Sequence, residues 1–165
     1  MIVLLMGTTG SGKTTVGKIL AARLHWTFLD ADDFHPKANI DKMHHGIALT
    51  DADRLPWLKK IHTELLRQTL SGKNIVLACS ALKQSYRDKL SATLNMRIVY
   101  LRGTYHVMRQ HLESRHGHFA GEAILAGQFA DLEEPHNALV LDVSRSPQQL
   151  AAEAIAGLHL SESPL

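Results

Sequence analysis

A glycine-rich stretch between an apolar run and an amphipathic segment constrains this chain more than any other feature. Residues 7–14 read GTTGSGKT and match the pattern G-x-x-x-x-G-K-[ST]. They follow the apolar run IVLLM and precede a helical pattern over residues 13–24, which is the strand–loop–helix context that the pattern requires. Such a loop turns successive backbone N–H groups toward phosphate oxygens, and the helix adds its positive end. The stretch therefore predicts a nucleotide-phosphate site.

The motif also predicts a role for each part of the loop. Lys13 is expected to reach the β- and γ-phosphates and to act in catalysis, and the hydroxyl of Thr14 is expected to ligate Mg²⁺. The loop as a whole is predicted to hold the nucleotide through Gly7, Thr8, Thr9, Gly10, Ser11, Gly12, Lys13, Thr14 and Thr15. The motif alone leaves the phosphoryl acceptor open, because kinases, GTPases and motors all use this loop.

Short apolar runs alternate with amphipathic segments along the whole chain. Near-continuous apolar strands separated by helices indicate an α/β fold with a five-stranded parallel sheet covered on both faces. In such sheets ligands bind beyond the carboxyl ends of the strands. The strands are predicted at residues 2–6, 26–29, 75–79, 97–101 and 138–143.

The helices are predicted from their apolar spacing and from capping residues. One is expected to open at Pro56 and run to about Leu70, and a stripe of Leu82, Tyr86 and Leu90 predicts another that ends near Leu94. The others are placed at residues 13–24, 36–45, 105–114 and 123–132 and after Ser146, with a loop over 114–122.

Composition limits the classes of protein to which the chain can belong. The 165 residues suit one domain, 1–165, and the net charge of +2 gives no electrostatic case for nucleic acid or a membrane surface as partner. Cys79 is the sole cysteine, which fits a reducing compartment, and the apolar start is too short to span a bilayer. A cytoplasmic protein with a small-molecule substrate is the expectation.

Four stretches resemble the small P-loop gluconokinases, which are related in fold to shikimate kinases and nucleoside monophosphate kinases. Where shikimate kinases carry a glycine-rich turn after strand three, this chain has CSALK. His111 stands where the family usually has an arginine. The stretches are GTTGSGKTT (7–15), LDADDFHPKANIDKMHHGIALTDADRLPWL (29–58), CSALKQSYRD (79–88), and RHGHF with QFADLEEP (115–119 and 128–135).

The resemblance implies an enzyme that uses ATP and Mg²⁺ to convert D-gluconate to 6-phosphogluconate. It also implies a P-loop NTPase fold, a substrate-binding helical insertion at about 31–70 after strand two, a lid at about 114–130 after strand four, and a homodimer. Two alternatives stay open at this point. One is a kinase for another small sugar acid or a shikimate-like hydroxy acid, and the other is a catalytically silent nucleotide-binding regulator.

Three carboxylates crowd the end of the second predicted strand, in the stretch FLDADDFHP. Strand alternation places Asp30 and Asp32 on the same side. Asp30 is predicted to hold Mg²⁺, through water, and Asp32 to bind the gluconate hydroxyl and accept its proton. Asp33 is predicted to cap the helix that Pro36 opens or to pair with Lys37.

Gluconate is an anion, so its carboxylate needs a cation, preferably an arginine. Lys83 and Arg87 lie four residues apart and are predicted to share the cleft-facing side of one helix. Arg54, in the insertion, is predicted to join them, with His35 as a further acceptor contact. In the lid, Arg115 is predicted to stabilise the transferred phosphoryl group as an arginine finger would, and His118 to contact phosphate or gluconate.

Overall fold

A computed structural model describes residues 1–116 and 121–161. Its centre is a five-stranded sheet in which every neighbouring pair is parallel, in the order β2-β3-β1-β4-β5. The predicted parallel α/β sheet is therefore confirmed. The strands are β1 (Ile2–Met6), β2 (Thr27–Asp30), β3 (Ile75–Ala78), β4 (Met96–Arg102) and β5 (Leu139–Asp142).

Helices connect successive strands, as parallel pairing requires. Between β2 and β3 the chain forms a 3-10 turn (Ala31–Phe34) and then two helices, and between β4 and β5 it forms another two. The helices are α1 (Lys13–Leu24), α2 (Lys37–His44), α3 (Asp51–Leu70), α4 (Gln84–Ser91), α5 (Tyr105–His116), α6 (Glu122–Asp131) and α7 (Pro147–Gly157).

The central strand β1 divides the core into two apolar clusters. Its side chains alternate, as in any strand: Val3 and Leu5 pack in the cluster that contains residues of α1 and α7, and the other three pack in the cluster that contains residues of α3 and α4. All five side chains of β1 are fully buried. This burial fixes the strand whose carboxyl end leads into the glycine-rich loop.

Two helices begin elsewhere than the sequence predicts. Helix α3 begins at Asp51, because the Thr50 hydroxyl accepts from the Asp53 N–H while the Asp53 carboxylate accepts from the Thr50 N–H. This reciprocal cap outweighs Pro56, which lies inside the helix and not at its start. Helix α4 is shorter than predicted, because Ala81 and Thr93 adopt the left-handed conformation on either side of it.

Helix α5 extends two residues beyond its predicted end. It runs to His116, so Ser114, Arg115 and His116 belong to a helix and not to the predicted loop over 114–122. The start of α7 is as predicted, with Ser146 as its cap and Pro147 in its first turn. Among the helices in the described part of the chain, none is long and apolar enough to cross a membrane.

Candidate active site

The glycine-rich loop connects β1 to α1 in the conformation that a phosphate cradle needs. Gly12 precedes α1 with φ of 86°, a left-handed value that favours glycine. Gly10 has φ of 84°, and a Cβ there would lie 2.9 Å from the carbonyl oxygen of Met108 in α5. The Lys13 ammonium donates to the carbonyl oxygen of Thr8 at 2.9 Å. The loop is thus tightly curled, with its lysine folded over it.

Both helices of the β4–β5 connection contact this loop. The Oε1 atom of Gln128 in α6 accepts from the Thr9 N–H at 2.6 Å, and Nδ1 of His111 in α5 donates to the Gly10 carbonyl at 2.9 Å. The hydroxyl of Thr8 is buried, and no atom of the described residues hydrogen-bonds to it. A buried polar atom without a partner is costly in a protein interior, so this hydroxyl is a candidate contact for a bound nucleotide.

The two predicted metal ligands contact each other. The Thr14 hydroxyl donates to Oδ2 of Asp30 at 2.8 Å, and Oδ1 of Asp30 accepts from the Asp32 N–H at 3.1 Å. Within residues 1–116 and 121–161, no three His, Cys, Asp or Glu side chains cluster closely enough to hold a metal ion. A site of few protein oxygens fits Mg²⁺, which keeps several waters and uses substrate phosphates as ligands.

Asp32 lies beside the phosphate loop, in the 3-10 turn that follows β2. Its side chain is 87% exposed, so a substrate hydroxyl can reach it. The pKa of Asp32 is raised, first by partial desolvation of the carboxyl group and second by the negative charge of Asp30, while Lys13 and His35 act in the opposite direction. Lys13 and Asp32 therefore lie close enough for their charges to interact.

His35 is fixed at the edge of the same cleft. Its ring stacks on the indole of Trp57, with ring centroids 4.4 Å apart and planes 8° apart. The Trp57 indole N–H donates to the Ala31 carbonyl at 2.7 Å. The pKa of His35 is lowered, mainly by burial and also by the positive charge of Arg54, while Asp32 acts in the opposite direction.

Two of the predicted gluconate-binding cations converge on one carboxylate. Lys83 donates to Asp51 at 3.0 Å, and Arg54 lies 3.8 Å from the same carboxylate oxygen. The Tyr86 hydroxyl donates to Asp51 and accepts from Arg54 at 3.0 Å. This group, defined as the cation cluster, joins the start of α3 to the start of α4. Lys83 also lies 3.9 Å from the Asp131 carboxylate, so two carboxylates face the two cations.

The structure does not support the prediction that Lys83 and Arg87 share the cleft-facing side of one helix. Arg87 is 2% exposed. One of its guanidinium nitrogens donates to the carbonyls of Ala81 and Leu82 at 2.8 and 2.9 Å, and the other donates to Gln84. Arg87 therefore stabilises the left-handed turn after β3 and does not face the cleft. Lys83 and Arg87 are four residues apart as the sequence shows, but the Arg87 side of α4 is buried in the protein.

Three further residues of the sequence prediction are Asp33, Arg115 and His118. Asp33 does not cap α2, because Pro36 holds the cap position without a side-chain hydrogen bond. Asp30 caps the preceding 3-10 turn instead. The backbone of Arg115 belongs to α5, and His118 lies outside the described residues.

Three residues at this site escaped the sequence analysis. Gln128 contacts the phosphate loop, and its place in the family stretch QFADLEEP was a signal that could have found it. Asp51 and Tyr86 join the cation cluster. The apolar stripe of Leu82, Tyr86 and Leu90 indicates only that the Tyr86 ring is buried. Nothing in the sequence places the Tyr86 hydroxyl beside Asp51.

Comparison with known proteins decides the family. The model of the shikimate kinase family matches residues 9–155. The thermoresistant gluconokinase of Escherichia coli is 38% identical over 93% of this chain and 91% of its own length. The gluconokinase of Gluconobacter oxydans is 44% identical over 81% of this chain and 75% of its own. This chain belongs to the gluconokinase family of small P-loop kinases.

Solved structures agree with this membership. A gluconokinase from Sinorhizobium meliloti superposes on this gluconokinase-family chain with a TM-score of 0.87 at 40% identity, covering 95% of this chain and 90% of its own. The shikimate kinase of Aquifex aeolicus, at 14% identity and a TM-score of 0.59, covers 96% of each chain and shows the shared fold alone.

Proposed function

We propose that this protein transfers the γ-phosphoryl group of ATP to D-gluconate, giving ADP and 6-phosphogluconate. The observation that carries the proposal is the placement of two kinds of group around one cleft. The charge of Lys13 in the phosphate loop acts on Asp32, and Asp32 lies 3.9 Å from Nε2 of His35. The charge of Arg54, in the cation cluster, acts in turn on His35. The family relationship supports gluconate as the acceptor.

In the proposed reaction, Asp32 accepts the proton of the reacting gluconate hydroxyl. The hydroxyl oxygen forms a bond to the γ-phosphorus as the bond from that phosphorus to the bridging oxygen breaks, and ADP leaves with the bridging oxygen. Lys13 moves from the Thr8 carbonyl to the phosphates, where its charge stabilises the transferred group. Arg115 is proposed to assist from the other side, and His118 to contact phosphate or gluconate.

Mg²⁺ is proposed to bind at the Thr14–Asp30 pair. When bound, it neutralises charge on the β- and γ-phosphate oxygens. Asp30 already accepts the Thr14 hydroxyl hydrogen, which turns the oxygen lone pairs of that hydroxyl away from the carboxylate. The pair would thus offer Mg²⁺ a hydroxyl oxygen, with a carboxylate 2.8 Å from that oxygen.

The gluconate carboxylate is proposed to bind Arg54 and Lys83. Tyr86 and Asp51, which contact both cations, offer partners to the hydroxyls of the acceptor. A site that hydrogen-bonds several hydroxyls rejects analogues without them. Residues 31–70 are accordingly proposed as the substrate-binding segment, 114–130 as the lid, and the whole chain as one domain. We further propose that the enzyme is a cytoplasmic homodimer.

The test is ATP turnover with a panel of acceptors. ADP release in the presence of gluconate is compared with that in shikimate, other sugar acids and nucleoside monophosphates. The proposal predicts the highest kcat/KM for gluconate. A higher value for shikimate or another hydroxy acid would favour the kinase alternative, and no acceptor-dependent release at millimolar concentrations would favour the regulator.

A further inference from the structure

Asn39 is a buried polar residue in the first turn of α2 that the proposed mechanism does not use. It is 3% exposed. Its side-chain nitrogen Nδ2 lies 3.0 Å from the carbonyl oxygen of Asp53 and 3.4 Å from Nδ1 of His35. One amide thus connects the first turn of α3 to the histidine at the edge of the cleft.

The chemistry of these contacts determines the tautomer of His35. A backbone carbonyl only accepts hydrogen bonds, so the NH₂ group of Asn39, and not its oxygen, must face Asp53. The same NH₂ group has a second hydrogen, and it faces Nδ1 of His35. That ring nitrogen must accept, so it carries no proton, and in the neutral ring the proton resides on Nε2.

The position of Asp53, whose carbonyl accepts from Asn39, is fixed by further hydrogen bonds. The Asp53 carboxylate accepts two hydrogen bonds from Lys42, at 2.9 and 2.8 Å, and one from the Thr50 N–H at 2.8 Å. These contacts fix the first turn of α3, and therefore the carbonyl that orients Asn39. The orientation of the amide is set by the fold and does not depend on a bound substrate.

The ring that Asn39 orients has little freedom. The His35 side chain is 7% exposed and stacks on Trp57. Its Nε2 atom lies 3.9 Å from Oδ1 of Asp32. This separation exceeds a hydrogen bond, but contacts of this kind commonly tighten when substrate binds. The N–H of the ring is thus presented on the side where Asp32 lies.

We propose that Asn39 is a positioning residue that fixes His35 as a neutral donor through Nε2–H beside Asp32. In this tautomer the face of the ring toward the cleft donates a hydrogen bond and cannot take a proton. The acceptor hydroxyl therefore delivers its proton to Asp32, while His35 donates to an oxygen of the acceptor or of Asp32. The inference rests on the proposed function only in placing the acceptor beside Asp32.

The direct test is the tautomer of His35 in the intact protein. Long-range ¹H–¹⁵N correlation spectra near neutral pH distinguish the bare nitrogen of an imidazole from the protonated one, and the absence of its signals in His35→Gln assigns the ring. The inference predicts a bare Nδ1 and a protonated Nε2. A protonated Nδ1 with a bare Nε2 would overturn it, even if gluconate is phosphorylated. Failure of gluconate turnover would leave this measurement unaffected.

A kinetic test separates positioning from folding. Asn39→Asp keeps the size of the side chain but can donate neither to Nδ1 of His35 nor to the Asp53 carbonyl, so its free energy of unfolding is measured as well. In the folded variant, kcat/KM for the acceptor should fall about tenfold or more, the effect of one misdirected hydrogen bond. KM for ATP should not change. Asn74→Asp, at an exposed position whose side chain accepts from the terminal ammonium, is the control for the same substitution away from the site. Equal losses for ATP and acceptor would contradict the inference.

A second pair of variants changes the ring itself and keeps the hydrogen bond from Asn39 to the Asp53 carbonyl. The amide nitrogen of His35→Gln reaches the position of Nε2, whereas the amide of His35→Asn reaches only that of Nδ1. The inference predicts that His35→Gln retains about tenfold more kcat/KM for the acceptor than His35→Asn, since it alone keeps the donor. Equal values for the two variants would overturn it.

Discussion

The Thr14 hydroxyl donates a 2.8 Å hydrogen bond to the Asp30 carboxylate. Thr14 lies in the first turn of α1 and Asp30 is the last residue of β2, so the contact joins the phosphate loop to the strand at the edge of the sheet. No acidic residue ends β3, which reads IVLA and leads into Cys79. The carboxylate next to the loop threonine is thus supplied by β2.

Asp30→Asn should increase the Mg²⁺ concentration required for half-maximal activity. The variant loses the negative charge beside Thr14 while keeping an oxygen that can accept from the hydroxyl. A charge-assisted hydrogen bond is roughly twice as strong as a neutral one, so an increase of about tenfold is expected. The measurement is initial rate against Mg²⁺ at saturating ATP. An unchanged requirement would show that Asp30 does not act on the metal.

Asp32→Asn should lower turnover with little effect on ATP binding. Asparagine can orient a hydroxyl but cannot accept its proton at neutral pH, so a decrease in kcat on the order of 100-fold is expected. ATP affinity is measured separately by calorimetry. Asp33→Asn, at the exposed neighbour, is the matched control and should change neither value. Equal losses in all three aspartate variants would mean that the carboxylates act as one unit.

Arg87→Met should destabilise the protein without acting specifically on acceptor binding. The variant leaves the buried carbonyl of Ala81 without its donor, while the Leu82 carbonyl keeps the hydrogen bond from the Glu133 N–H, so a cost of about 2 kcal/mol in the free energy of unfolding is expected. Lys89→Met, an exposed cation on the same helix, is the control and should cost little. Urea unfolding measures both. A wild-type stability with a raised KM for gluconate would show that Arg87 binds the acceptor after all.

The Lys42–Asp53 pair should make stability depend on acidic pH. Hydrogen bonds from Lys42 and then from the Thr50 N–H lower the pKa of Asp53 from 3.8 to about 2. A carboxyl group whose pKa is lower in the folded than in the unfolded protein stabilises the folded state at pH values above the pKa of the unfolded state. This contribution is lost as the pH falls from about 4 to about 2. The difference in urea midpoint between wild type and Asp53→Asn should therefore shrink over that interval. A constant difference would contradict the assigned pKa.

Local patterns predicted the sheet and the phosphate loop because both depend on neighbouring residues. The apolar run of β1 and the glycines that follow it leave few conformations, and the family stretches identified the chemistry. Asp30 and Asp32 were found because strand ends in parallel sheets converge. The capping of α3 at Thr50 was a local signal too, but Pro56 misled the prediction of where that helix begins.

Contacts between distant segments could not be read from the sequence. Arg87 has the spacing of a cleft-facing cation, yet the left-handed turn at Ala81 places carbonyls where its guanidinium binds them. The connection from Asn39 to His35 depends on a carbonyl 14 residues further along the chain. The role of a polar side chain is therefore ambiguous in the sequence. Whether a cation or an amide stabilises the fold or binds a ligand depends on its burial, which the sequence does not show.

The most direct test of the account is identification of the product formed from ATP and D-gluconate by ³¹P NMR. Each ADP formed should be matched by one phosphate monoester coupled to the C6 protons of gluconate, and Asp32→Asn should slow the appearance of this signal while still binding ATP. Accumulation of inorganic phosphate in place of the ester, or no consumption of ATP in the presence of gluconate and Mg²⁺, would contradict it.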